Sequence, residues 1–71
     1  LKKGDQVKIK RGQEKFWITI EGKGRTQGLW WGVIDNYLIG TYTTKEFRGH
    51  GLKFGDKITF IEEDILEIVK G

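Results

Sequence analysis

The sequence predicts a small all-β domain, an antiparallel barrel of five to six short strands, and three observations predict it. Apolar and polar residues alternate at period two in several short runs. Turn signals rich in Gly, Asn and Asp separate those runs at intervals of roughly 8 to 12 residues. Proline is absent, and no long helical stripe runs through the chain.

The elements follow in order. Val7 and Ile9 alternate with Lys8 and Lys10, which predicts a first strand with one face on the core and one in water. Gly12, Gln13 and Glu14 then turn the chain. Phe16, Ile18 and Ile20 alternate with Trp17, Thr19 and Glu21, a second strand of β-branched and aromatic residues. Residues 22–28 form a polar, Gly-rich hairpin loop. In the third strand, residues 29–35, Leu29, Trp31 and Val33 are assigned to one face and Trp30, Gly32 and Ile34 to the other; both faces are apolar, so this strand is central.

Asp35 and Asn36 make a turn pair. The run 37–44 reads as another strand, interrupted at Gly40, where a bulge is expected. Residues 45–51 are irregular. A strand at 57–61 leads to the acidic triplet Glu62, Glu63 and Asp64. The final Ile65 to Val69 fits either a strand or one helical turn; its Ile-rich content favours a short 3-10 turn at the triplet and then a closing strand. The expected core is Val7, Ile9, Phe16, Ile18, Ile20, Val33, Leu52, Ile58, Phe60 and Ile65, with Trp17 and Trp30 pointing outward together.

One pattern occurs twice. Residues 1–9 read LKKGDQVKI and residues 52–60 read LKFGDKITF, both L-K-x-G-D-x-[V/I]-x-[I/F]. Each unit is expected to launch a strand, with Gly4 or Gly55 taking turn dihedrals closed to other residues and Asp5 or Asp56 accepting from nearby backbone amides. Nothing between the two units repeats, which argues against an internal duplication.

Composition narrows the class. The 71 residues make one domain that buries roughly 60% of its unfolded surface, with no room for a deep cleft, which argues against a multi-step enzyme. Without cysteine there is neither disulfide nor thiolate metal site, so stability rests on the nine aromatics and the aliphatic residues. Absence of cysteine is compatible with a cytoplasmic location, and no apolar run reaches the length of a membrane span. A chain that opens at Leu1 rather than Met is expected to be a processed product or a domain of something longer. The net charge of +3 is asymmetric: residues 1–31 hold eight bases against three acids, +5, and residues 32–71 hold five against seven, −2. A basic half attracts phosphate polymers or anionic surfaces, although a Lys-rich face is also an ordinary solubilising surface.

The loop, the G-D unit before an alternating run, the Trp-containing strand and the 3-10 turn before the last strand together resemble SH3-like barrels. More closely, EKFWITI at 14–20, GVIDN at 32–36, and HGLKFGDKITF with the following EDI resemble a family of small bacterial domains of unknown function with FWV-like and GLKxGDxVxV segments. The resemblance covers roughly residues 14–66 and implies a stand-alone or appended accessory domain with no catalytic residues. The basic stretch 1–11 has no counterpart in that pattern.

Catalytic chemistry finds little support. The one histidine, His50, lies between two glycines without a second ligand at metal spacing, the reading of an ordinary polar loop residue. The acidic triplet lacks the spread of a calcium loop and reads as a solvated turn in which Asp64 caps the next segment. Gly22, Gly24 and Gly28 with Lys23 and Arg25 precede no helix, so they form a hairpin tip rather than a phosphate cradle. No enzyme, cofactor or metal is expected.

The aromatics say more, because Trp17, Trp30, Tyr37 and Tyr42 belong to a set larger than so small a core encloses. Two functions follow. The first, and favoured on the aromatic content, is an accessory module that binds a protein or peptide partner. The second is a nucleic-acid-binding barrel, with Lys8, Lys10, Arg11, Lys15, Lys23 and Arg25 on phosphates and Trp17 or Trp30 stacked on bases. Nucleic acid requires the basic side chains and the tryptophans on one face, and that requirement separates the two.

Overall fold

The computed structural model describes residues 1–41 and 49–71. Five strands form one antiparallel sheet: β1 Gln6–Arg11, β2 Glu14–Lys23, β3 Leu29–Ile34, β4 Lys57–Ile61 and β5 Ile65–Val69, in the order β4-β3-β2-β1-β5. A 3-10 turn, Glu62–Asp64, precedes β5, so the chain has the expected small SH3-like barrel architecture. Asp64 Oδ2 accepts the N–H of Ile61 and opens that turn. Arg11 of β1 ties the β4 edge and the 3-10 turn to β1: it donates to the Thr59 carbonyl at 2.8 Å and lies 3.9 Å from Asp64.

The core is the inward face of the sheet: Val7 and Ile9 of β1, Phe16, Ile18 and Ile20 of β2, Ile34 of β3 and Phe60 of β4, with Leu38 from the connection. Period-two alternation on β1 and β2 produces it directly. Leu52, Ile58 and Ile65, expected inside, are half-buried against this cluster.

The two L-K-x-G-D units are one structural device used twice. In each, the Asp N–H closes a β-turn on the first Lys carbonyl at 3.1 Å, and the Asp carboxylate accepts that same Lys N–H at 3.1 Å. Gly4 and Gly55 have φ of 94° and 88°, a conformation that side chains resist. Each turn then clamps an isoleucine: Gly4 donates to the Ile20 carbonyl and Ile20 donates back to Asp5, while Gly55 and Asp56 treat Ile34 in the same way.

That second clamp corrects the reading of β3. Ile34, not Val33, is buried, and Trp30 packs on the core while Leu29, Trp31 and Val33 take the outer face. Trp17 and Trp30 therefore do not point outward together. The parity is enforced at Gly32, which lies opposite Ile20 on the core side, where a Cβ would collide with the Thr19 carbonyl and the Ile18 side chain. Phe16 and Phe60 already fill the interior, and Trp31 in place of Gly32 would not fit.

The strand expected over 37–44 is not present in its described part. Residues Ile39–Thr41 form a 3-10 turn instead, because Glu14 accepts the N–H groups of Ile39 and Gly40 at 2.9 and 2.6 Å, donors that a strand would commit to a ladder. Residues 42–44 of that run lie outside the described residues.

Candidate functional site

The outer face of the sheet can be read from its register. On β1 the outward residues are Gln6, Lys8 and Lys10, and their β2 partners are Thr19, Trp17 and Lys15. Thr19 lies opposite Val33, and on β4 Lys57 and Thr59 lie opposite Val33 and Trp31. Trp17 and Trp31 thus share this face, one toward each end.

Each tryptophan has its own cations. The Lys8 ammonium stands 5.3 Å from the Trp17 ring centroid, and Lys10 and Lys15 continue the same side beside it. Lys10 and Lys15 are directly opposite each other and exposed, a like-charge pairing that costs the sheet stability and that folding alone does not call for. At the other end, Lys57 stands 5.9 Å from the Trp31 ring, and Trp31 floors a groove walled by the hairpin tip, with Lys23, Arg25 and Thr26, and by Thr59 of β4. No residue lining that groove is acidic. The strand register shifts between Ile20 and Gly22, just before that tip.

Acidic groups are present on this face but engaged. Glu67 of β5 pairs with Lys8 at 3.2 Å, Glu21 lies 3.9 Å from Lys3, and Asp35 accepts from Gln6 at 2.7 Å and Thr19 at 3.2 Å. Among the described residues Lys10, Lys15, Lys23, Arg25 and Lys57 make no ion pair.

The candidate residues therefore divide. Lys8, Lys10, Lys15 and Trp17 come together; Arg25 and Lys57 come together with Trp31, a ring that sequence reasoning left out because it inverted the faces of β3, while Lys23 lines the same groove with its ammonium turned to Trp30. Trp30 is half-buried on the core with the Lys23 ammonium 5.9 Å from its ring. Arg11 is committed to closing the barrel. Tyr37 is 87% exposed, stacked on Phe54 with ring centroids 5.1 Å apart, away from the groove at Trp31. Tyr42 lies outside the described residues.

His50 also departs from expectation. Its side chain is only 12% exposed and bridges two elements: Nε2 lies 3.0 Å from Glu14 Oε1, and Nδ1 accepts the Leu52 N–H at 3.0 Å. That N–H makes Nδ1 the acceptor, so Nε2 carries the proton and donates to Glu14. Burial works to raise the Glu14 carboxyl, but the Gly40 and Ile39 N–H groups and His50 outweigh it, and the group lies below its ordinary value. With both ring nitrogens engaged, the pair is a structural fastener between β2 and the β3–β4 connection. Among the described residues no group of three or more His, Cys, Asp or Glu could hold a metal, and no helix is long and apolar enough to cross a membrane.

Comparison with protein-family models, curated proteins and solved structures finds no match.

Proposed function

We propose that this domain is a non-enzymatic binding module that takes a single-stranded nucleic acid across the outer face of its sheet. One observation carries the reading: Trp17 and Trp31 lie on the same face, each beside its own cluster of lysine or arginine side chains. Small barrels bind single strands with this combination, an aromatic ring for a base and cations for the phosphates. Sequence-tolerant binding follows, since neither tryptophan is surrounded by side chains arranged to read base edges. An accessory role, of the kind the bacterial resemblance implies, and a cytoplasmic location belong to the same proposal.

The test is an oligothymidylate titration followed by tryptophan fluorescence at several salt concentrations. Quenching is expected, with affinity falling as salt rises at a log–log slope of up to about −4 for six phosphate contacts on a single strand. Trp31→Ala is expected to cost about 1–3 kcal/mol. No quenching at low salt would remove the proposal.

A protein partner stands as a second reading on a separate observation. Tyr37 and Phe54, both exposed, stack on each other in the β3–β4 connection, an apolar surface that the nucleic-acid face does not use.

A further inference from the structure

We infer that the outer face grips a strand at two separate stacking stations, Trp17 and Trp31, and that both are occupied only by ligands of about four nucleotides or more. The inference rests on the nucleic-acid reading and adds its geometry.

The spacing comes from the register. Thr19 and Val33 are opposite each other, and Trp17 and Trp31 lie two residues from that pair in opposite directions along the sheet. Four residues along the strands and one strand across place them about 14 Å apart. A single base cannot touch both, and an extended strand needs about two to three nucleotide steps to join them.

Charge separates the stations as well. Lys8, Lys10 and Lys15 serve Trp17, and Arg25 and Lys57 serve Trp31. Between the clusters lie the short side chains of Thr19 and Val33, with the Asp35 carboxylate held toward this gap by Gln6 and Thr19. The Asp35 carboxylate opposes a phosphate on the β1–β2 side of the gap, whereas cations flank each ring. A strand held this way is a bivalent ligand, whose second contact gains from the effective concentration set by the first, an increase of tenfold or more for short linkages.

The experiment measures the affinity of oligothymidylates of about two, four, six and eight nucleotides for the whole domain at low salt. For the wild-type chain the affinity should step up at least about tenfold between the two-nucleotide and the six-nucleotide ligand, then change slowly. Trp17→Ala should abolish the step and leave the shortest ligand's binding at Trp31 intact. Because Trp17 is half-buried, Lys10→Glu with Lys15→Glu supplies a second variant that leaves the packing alone, and it too should abolish the step. A smooth rise with length, untouched by either variant, would overturn the two-station inference while leaving nucleic-acid binding in place. If no length binds, or if an Asp- and Glu-rich peptide occupies the Trp31 groove in preference to every oligonucleotide, both the inference and the reading beneath it fall.

Discussion

Asp5 and Glu14 are carboxylates that the fold has turned into acceptors for backbone N–H groups. Asp5 is fully enclosed and accepts from Gly71 and Lys2, with Lys70 3.5 Å away; the Gly71 N–H does most to hold its carboxyl below the ordinary value, against the opposing effect of burial. Glu14 is likewise depressed. In acid the unfolded chain therefore binds more protons than the folded one, and stability rises with pH. The contribution is complete above the ordinary carboxylate range and is lost as pH falls through the lower folded values. The melting temperature should stay nearly constant from about pH 7 to about pH 5 and drop below about pH 4. Asp5→Asn combined with Glu14→Gln should make that acid limb shallower in a series of thermal scans; an unchanged limb would place the acid sensitivity elsewhere. Only one of the two roles was legible. Asp after Gly before a strand announces a turn acceptor, whereas the partners of Glu14, at Ile39, Gly40 and His50, are 25 to 36 residues away and no local pattern points to them.

Among elements, the repeated turns test whether equal sequence means equal energetics. At Gly4 and Gly55 an added Cβ would meet nothing within 4 Å, so substitution there is opposed by backbone conformation alone. Gly4→Ala and Gly55→Ala should each destabilise the domain by roughly 1 kcal/mol or more, lowering the melting temperature by about 4–8 °C per kcal/mol for a chain of this size. Calorimetry that finds either variant as stable as the parent would show that turn to be dispensable. These units, and the strands β1 and β2, were legible because one face of each is apolar and the other polar, so period two fixes which side is inside. The third strand was not. With Trp30, Trp31, Val33 and Ile34 all apolar, alternation carries no sign, and the side is set by the Ile34 clamp and by the close approach of β2 at Gly32, both of which are tertiary. That inversion left Trp31 out of the expected site and put Trp30, which packs on the core, into it.

For the whole molecule, the consequential fact is the placement of β5 beside β1. The basic half and the acidic half of the sequence are laid against each other: Lys8 meets Glu67, and Arg11 meets Asp64. The sequence asymmetry of +5 and −2 is therefore partly cancelled in space, and among the described residues the cations outside ion pairs include Lys10 and Lys15 near Trp17 and Arg25 and Lys57 near Trp31. Strand pairing between residues about sixty positions apart cannot be read from local pattern, which is why counting charges along the chain does not reveal that Lys8 meets Glu67 and Arg11 meets Asp64. Glu67 tempers the Trp17 end of the face, and removing it should strengthen binding there through placement rather than through total charge. Glu67→Lys and Glu63→Lys change the net charge equally, but the first lies opposite Lys8 and the second is in the turn before β5. Oligothymidylate affinity at low salt should rise several-fold more for Glu67→Lys than for Glu63→Lys, and the difference should shrink as salt brings the Debye length below about 8 Å. The adjoining like charges should cost the Glu67→Lys sheet a few tenths of a kcal/mol in thermal stability. Equal gains for the two variants would mean that the ligand responds to net charge alone, and the Trp17 end of the face would no longer qualify as a binding surface.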